Sequence, residues 1–264
     1  MRDQIEEARF KAFEASFDKS RAFWEGKAAE NPFWYVSSFG PYAHRNLGEF
    51  WQSGHSIWQT LKEASKYHPR RSDVVVEIGC GVGRLTRMIS PEVGWVSSFD
   101  ISEKMLELAR MHRLSNVTFY RAEGDSLLPL ADATADLVLA YCVFHHLPSI
   151  QAFERYVKEM LRVVRPGGMV AFTLTPRDWR VFLEPLLRLR RLVKETLLVS
   201  GGPSGLYRRE WIGIRPQKRT VMRLLPEGER KAVMHGDNWL FVARRHSAAH
   251  EATGCEVREK VHFI

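Results

Sequence analysis

Val74–Ser90, VVVEIGCGVGRLTRMIS, is the stretch on which the reading of this chain turns. It opens with apolar, mostly β-branched residues and one acid, Glu77. Gly79, Gly81 and Gly83 follow at alternate positions, and then a helix-like run begins. A strand, a glycine turn and a helix in that order bring backbone N–H groups up to a ligand with no Cβ in the way. The stretch therefore predicts a small-molecule site.

The spacing narrows the ligand. A dinucleotide fingerprint is G-x-G-x-x-G, with a pyrophosphate on the helix N-terminus. Here the glycines are one residue tighter. Glu77, two residues before the first of them, would repel a pyrophosphate and attract an ammonium. The next predicted strand ends in WVSSFD at Asp100, where an acid can accept both hydroxyls of a ribose. A nicotinamide cofactor would ask for that acid too, so Asp100 alone does not discriminate.

Around this stretch the texture alternates. Strands are predicted at 73–78, 94–99, 117–121, 136–141 and 169–174, with helices at about 83–89, 103–113 and 151–164 between them. Ser102 is placed as an N-cap, with Glu103 in the first turn. Such alternation predicts a parallel sheet with helices on both faces. Two short runs around His235-Gly236-Asp237-Asn238 predict a terminal hairpin. Gly167-Gly168, after Pro166, reads as a turn into the fifth strand. Before residue 70 lie an amphipathic helix over 1–30, carrying Phe10, Phe13 and Phe17 and stopped at Pro32, an aromatic stretch, and a second helix over Leu47–Tyr67. Thirteen of the 30 aromatic residues precede residue 60.

The four blocks VVVEIGCGVGRLT, SFDISEKMLELAR, FYRAEGDSLLPLADATADLVLAYCVFHHL and YVKEMLRVVRPGGMVAFT resemble, in order and spacing, a class I S-adenosylmethionine-dependent methyltransferase of the small-molecule branch. The resemblance covers roughly residues 72–175. It implies an α/β fold: a doubly wound, seven-stranded, mostly parallel sheet with its last strand antiparallel, plus N-terminal helices and a helical insertion before the hairpin. The implied organisation is a helical and aromatic cap (1–70), the donor-binding core (71–175), a basic substrate-binding lid (176–224), and a hairpin and tail (225–264).

The resemblance also implies roles. Glu77, Gly79, Cys80, Gly81 and Gly83 would line the methionine part of the donor. Asp100 would hold the ribose, and Ile101 and Met105 would approach the adenine. Asp125, with Ser126 beside it, would bond the adenine amino group. Asp125 stands closer to Leu128-Pro129 than the family commonly shows, so Glu123 and Gly124 remain alternatives. Tyr141 and Cys142 would lie near the sulfonium. S-Adenosyl-L-methionine would be the methyl donor and S-adenosyl-L-homocysteine the product.

Methyl transfer from a sulfonium needs alignment, exclusion of water and sometimes removal of a proton. His145 and His146 are the candidates for a base because imidazole titrates near neutrality. His146, before Leu147, occupies the common family position and is the more structural of the two. Tyr35 is a candidate for hydrogen bonding to the donor carboxylate. Trp34, Tyr42, Tyr207, Arg208 and Trp211 are candidates for the acceptor pocket. No metal is expected: adjacent histidines on a tight loop rarely reach one ion.

Charge and cysteines add bounds. Between Arg177 and Arg223 twelve Lys/Arg face four Asp/Glu, so this segment holds an excess equal to the whole net charge of +8. A basic field attracts anionic partners. It keeps open an anionic substrate, a membrane-surface helix, a dimer interface or a nucleic-acid methyltransferase. Against the last, no N/D-P-P-Y/F tetrapeptide follows strand four. A donor-binding protein without catalysis is a further alternative, and a nicotinamide oxidoreductase is the weakest. Three separated cysteines (80, 142 and 255) and a charged N-terminus lead to the expectation of a cytoplasmic protein with a small-molecule partner, a monomer or homodimer. Residues 246–264 carry no pattern.

Overall fold

The computed structural model describes residues 2–37, 46–175, 211 and 213–246. Most of the basic lid predicted over 176–224 (176–210 and 212), the aromatic stretch after Ser37 and the tail from 247 lie outside the described residues.

The fold class is as expected. Seven strands form one sheet in the order β3-β2-β1-β4-β5-β7-β6. They are β1 (Val74–Ile78), β2 (Trp95–Asp100), β3 (Val117–Arg121), β4 (Ala135–Ala140), β5 (Val164–Leu174), β6 (Arg230–His235) and β7 (Asn238–Arg244). Strands β1 to β5 pair in parallel, while β7 runs antiparallel to both β5 and β6. The predicted hairpin joins His235 to Asn238.

The central strands are apolar on both faces because helices cover both. Val76 and Ile78 point into one core with Phe144, Phe153 and Phe172. Val75 points into the other with Trp58, Leu61 and Ile89. Side chains of this size, buried to within a few per cent, contribute roughly 1.5–3 kcal/mol each. Asp136 fixes the register at the sheet's lower end: its Oδ2 accepts from Val74 N at 2.8 Å and its Oδ1 from Arg165 Nε at 2.6 Å.

The helices are α1 (Arg2–Glu30), α2 (Pro32–Ser37), α3 (Leu47–Ser65), α4 (Thr86–Ile89), α5 (Glu103–Arg110), α6 (Ile150–Val163) and α7 (Lys218–Leu224). Ser102 caps α5, accepting from Met105 N at 3.2 Å. Two predictions need refinement. Pro32 does stop α1, but it also opens α2, because proline suits a first helical turn. Gly167-Gly168 is a bulge inside β5: Ala135 pairs with Val164 and Leu137 with Met169, so the bulged residues lie between two registers. No helix among the described residues is long and apolar enough to cross a membrane.

Chain order reverses between β1 and β4. In doubly wound sheets ligands bind outside the carboxyl ends of the strands at such a point, and the glycine turn leaves β1 there.

Candidate active site

The glycine turn is tied down by backbone. Gly79 N and Cys80 N both donate to Phe99 O, at 2.7 and 2.9 Å. Gly81 N donates to Asp100 Oδ2 at 2.7 Å, and Ser102 N donates to Asp100 Oδ1 at 2.9 Å. The acid that ends β2 is thereby aimed across the turn that ends β1. Gly81 has φ +54°, and a Cβ there would meet Val36 Cγ2 at 2.7 Å. Only glycine lets α2 lie on the turn this closely.

A cavity of about 950 Å³ opens above the turn. The half nearer the glycine turn gathers Glu77, Gly79, Cys80 and Gly81 from the first block, and Asp100, Ile101 and Met105 from the second. Tyr141 and Cys142, at the end of β4, line it as well. Glu77 is buried, its Oε2 accepting from Thr86 Oγ1 at 2.5 Å and from Ser98 Oγ at 3.3 Å. Burial, opposed in part by these hydroxyls, pushes its carboxyl up to about 7. Burial likewise pushes Asp100 up to about 6, against the pull of the two backbone donors.

Other expected residues lie elsewhere. Gly83 is not on the cavity wall; its N donates to Cys80 O at 2.9 Å and closes the turn. Asp125 and Ser126 are not on the wall either. Asp125 pairs with Arg155 at 3.4 Å, and Ser126 Oγ accepts from Leu128 N at 3.2 Å. Ala122 and Tyr156 line the cavity in that region. Tyr42, Tyr207 and Arg208 lie outside the described residues.

The other half of the cavity is built from distant segments. Tyr35, His145, His146 and Trp211 line it as the sequence grouped them, joined by Trp24 and Arg215. Trp34 is off the wall but stacks on Trp211 with centroids 6.3 Å apart. His146 sits between Trp24 and Trp211, 5.0 Å from each ring, and its Nδ1 donates to Trp211 O at 2.6 Å. Burial drops its pKa to about 4. His145 Nδ1 is buried with no hydrogen-bond partner. Burial first, then His146 and Arg215, hold this imidazole well below its ordinary range, so it is neutral at pH 7. Gly213 makes the docking possible. Its φ is +52°, and a Cβ there would run into His145 O, which accepts from Ile214 N at 3.0 Å. Tyr35 is buried and bound within the cap: its hydroxyl donates to Glu30 Oε1 at 2.7 Å and accepts from Lys27 Nζ at 3.3 Å.

Sequence reasoning missed many wall residues, among them the polar and aromatic Trp24, Arg84, Arg215 and His235. Arg84 stood inside the quoted block, directly after the third glycine. His235 was seen only as a turn residue, yet its Nε2 shares a 3.0 Å hydrogen bond with the Tyr141 hydroxyl. Trp24 and Arg215 had no local signal, because nothing in their neighbourhood marks which wall they reach.

Comparison with known proteins agrees with this geometry. Residues 76–172 match the family described as a methyltransferase domain. The chain is 27% identical over 165 residues to a ubiquinone biosynthesis O-methyltransferase of Aromatoleum aromaticum, covering 56% of this chain and 69% of that one. Other curated relatives, 32% identical, are spanned over 46% of their length. Among solved structures, a DhpI–SAH complex superimposes with TM-score 0.58 at 16% identity, covering 88% of this chain and 98% of that one. The magnesium protoporphyrin IX methyltransferase of Synechocystis PCC 6803, with SAH bound, gives TM-score 0.56 at 16% identity, covering 85% and 97%.

Proposed function

On the premise that the chain belongs to the class I S-adenosylmethionine-dependent methyltransferases, we propose that it methylates a small, anionic or aromatic acceptor held beside Trp24, His145, Trp211 and Arg215. The observation that carries this reading is that one continuous cavity joins the glycine turn to that aromatic and cationic wall.

The donor half fits S-adenosylmethionine. Each Asp100 oxygen accepts one backbone N–H and retains acceptor capacity for a ribose hydroxyl. Ile101 and Met105 offer apolar surface to an adenine, and Glu77 offers a carboxylate to an ammonium. When bound, the donor supplies a sulfonium methyl that is already electrophilic, so the chain's own residues need only hold, orient and keep dry.

On the acceptor side, Trp24 and Trp211 supply flat apolar walls and Arg215 a cation for an acidic group. The His145 imidazole, neutral and on the cavity wall, accepts a hydrogen bond from the acceptor's O–H or N–H and so orients the acceptor's lone pair toward the donor. His146 acts through Trp211, which it holds by the backbone. The Aromatoleum relative is named a ubiquinone biosynthesis O-methyltransferase, so acidic phenols belong in the first screen.

Calorimetric titration with S-adenosylhomocysteine, with NADH in parallel, tests the donor. Micromolar binding of the first and none of the second supports the reading; the reverse defeats it. Methyl transfer to a panel of acidic phenols then tests the acceptor. His145→Ala is expected to lower turnover at least tenfold with donor affinity unchanged, and equal turnover removes His145 from the mechanism.

A further inference from the structure

Tyr141 directly follows β4, and His235 closes β6. In the sheet β5 and β7 lie between these two strands, yet the Tyr141 hydroxyl and His235 Nε2 are 3.0 Å apart. Strand pairing does not bring them together. Both β5 and β6 are antiparallel to β7, so β6 ends on the ligand side of the sheet, and its turn reaches over the end of β5. There Thr175 Oγ1 donates to Asn238 Oδ1 at 3.0 Å. Tyr141, His235, Asp237 and Asn238 line the cavity together. The hairpin thus supplies a third, polar wall beside the donor half and the aromatic acceptor half.

Methylation of an O–H or N–H releases a proton that some group must take. His145 and His146 do not keep it. Burial holds both below the ordinary imidazole range, and His146 and Arg215 add to this at His145, so a proton there would be a buried charge beside a cation. His235 has no such neighbour among the described residues: burial alone lowers it, and Gly236 and Asp237 next to it are exposed. Burial holds the Tyr141 hydroxyl protonated, with Cys142 adding to this and Arg84 opposing it. Alone it is no base. With an imidazole against its oxygen it can give up its own hydrogen as it gains another.

We propose that Tyr141 and His235 are the proton exit of the reaction: the Tyr141 hydroxyl takes the proton of the acceptor's nucleophile while His235 Nε2 takes the hydroxyl's own. The proposal rests on the methyl-transfer reading above and assigns the step that reading left open. The acceptor's O or N bonds to the methyl carbon, and the carbon–sulfur bond breaks with its pair on sulfur. The displaced proton moves through Tyr141 to His235, and the resulting imidazolium sheds it to water at the exposed turn. His145 keeps its part as the group that orients the acceptor. In an amine or a dihydroxy compound one polar hydrogen goes to His145 and the other, which leaves, goes to Tyr141.

The test is the pH profile of kcat at saturating donor, with primary amines and dihydroxy acids as acceptors. His235→Gln and Tyr141→Phe are each expected to lower kcat about 100-fold, the lower end for a lost proton-transfer group. S-Adenosylhomocysteine affinity should stay within about threefold. The double variant should fall no further than either single one, because the two act as one chain. In the unsubstituted chain kcat should drop in acid, below about pH 6.5, as His235 takes up a proton beforehand; in His235→Gln that limb should vanish. Added imidazole should restore turnover to His235→Ala and not to Tyr141→Phe. Should the His235 variants fail to fold, Tyr141→Phe alone reads the chain through its kcat and its lost acidic limb. Unchanged kcat, or a fall with the acidic limb intact and no rescue, overturns the assignment and leaves a structural tie. If the unsubstituted chain neither binds S-adenosylhomocysteine nor methylates any acceptor of the panel, the methyl-transfer reading itself fails and this proposal with it.

Discussion

The two halves of the cavity are held together in different ways. The proposed donor half comes mostly from one stretch of chain, Glu77 to Met105, joined by Tyr141 and Cys142 from the end of β4, and its turn is fastened by backbone N–H groups: Gly79 N and Cys80 N on Phe99 O, and Gly81 N on Asp100. The acceptor half gathers Trp24, Tyr35, His145, His146, Trp211 and Arg215. It is fastened by ring packing and by side chains reaching across the molecule, such as His146 to Trp211 O. A backbone-built site is written locally and tolerates few backbones. A side-chain-built site can be rewritten one residue at a time, which suits a scaffold that keeps its donor and changes its acceptor.

The sharpest way to break this division is at its most local point. Asp100→Ala leaves Gly81 N and Ser102 N without their acceptor and removes the proposed ribose contact. The expected loss is about 1–3 kcal/mol, roughly 10- to 100-fold in S-adenosylhomocysteine affinity by calorimetry, with the Trp24–His146–Trp211 cluster undisturbed. A loss below threefold would mean that the donor half does not depend on this acid.

Gly213→Ala attacks the other half. The new Cβ would be forced on to His145 O at a φ that L-residues avoid, and 211–215 would lift from the loop. Turnover with any acceptor should fall at least tenfold, with a change in tryptophan emission, while donor affinity stays within about threefold. A parallel fall in donor affinity would show that the halves are one unit.

Much of the donor half was legible because its chemistry sits on local patterns. Val74–Ile78 alternates into two cores, the glycines demand positive φ, and Asp100 ends a strand whose register with β1 follows from the fold. Asp125 shows the limit even there. Its place was inferred from order along the chain, but the loop after β3 carries it to Arg155 instead of the cavity wall. Arg84 was legible as a letter and not as a place, since Val36 O and Ser53 Oγ meet it only once α2 and α3 pack over the turn. The acceptor half was legible in residue type alone. That Trp24 on α1 meets Trp211, far away in sequence, is a tertiary fact with no local signature.

Titration separates the halves by sign. Glu77 and Asp100 are raised, to about 7 and about 6, above the ordinary carboxylate value near 4. The folded chain therefore holds protons that the unfolded chain releases. Their contribution to stability is complete below about pH 4 and is lost as pH rises through 6 to 7. His145 and His146 are lowered, so the stability they contribute is present above about pH 6.5 and is lost as pH falls toward 4. The melting temperature of Glu77→Gln, followed from pH 4.5 to 7.5, should rise with pH relative to the unsubstituted chain. Affinity for S-adenosylhomocysteine should strengthen across pH 6–8 as Glu77 ionises, and flatten in the same variant. A pH-independent difference between the two proteins would mean that Glu77 ionises in the fold as it does in water.

The smallest expected effect lies where the two halves meet. Tyr35 was expected at the donor carboxylate; it lines the cavity, yet its hydroxyl is bound to Glu30 and Lys27 within the cap. Tyr35→Phe keeps the ring against Trp211 and removes the hydroxyl with its bonds to Glu30 and Lys27. If Tyr35 braces α1 against α2, the cost is stability alone, about 0.5–1.5 kcal/mol by denaturant unfolding, with donor affinity and turnover unchanged. If turnover falls tenfold while stability holds, the phenol turns into the cavity when substrates arrive, and Tyr35 belongs to the chemistry and not to the frame.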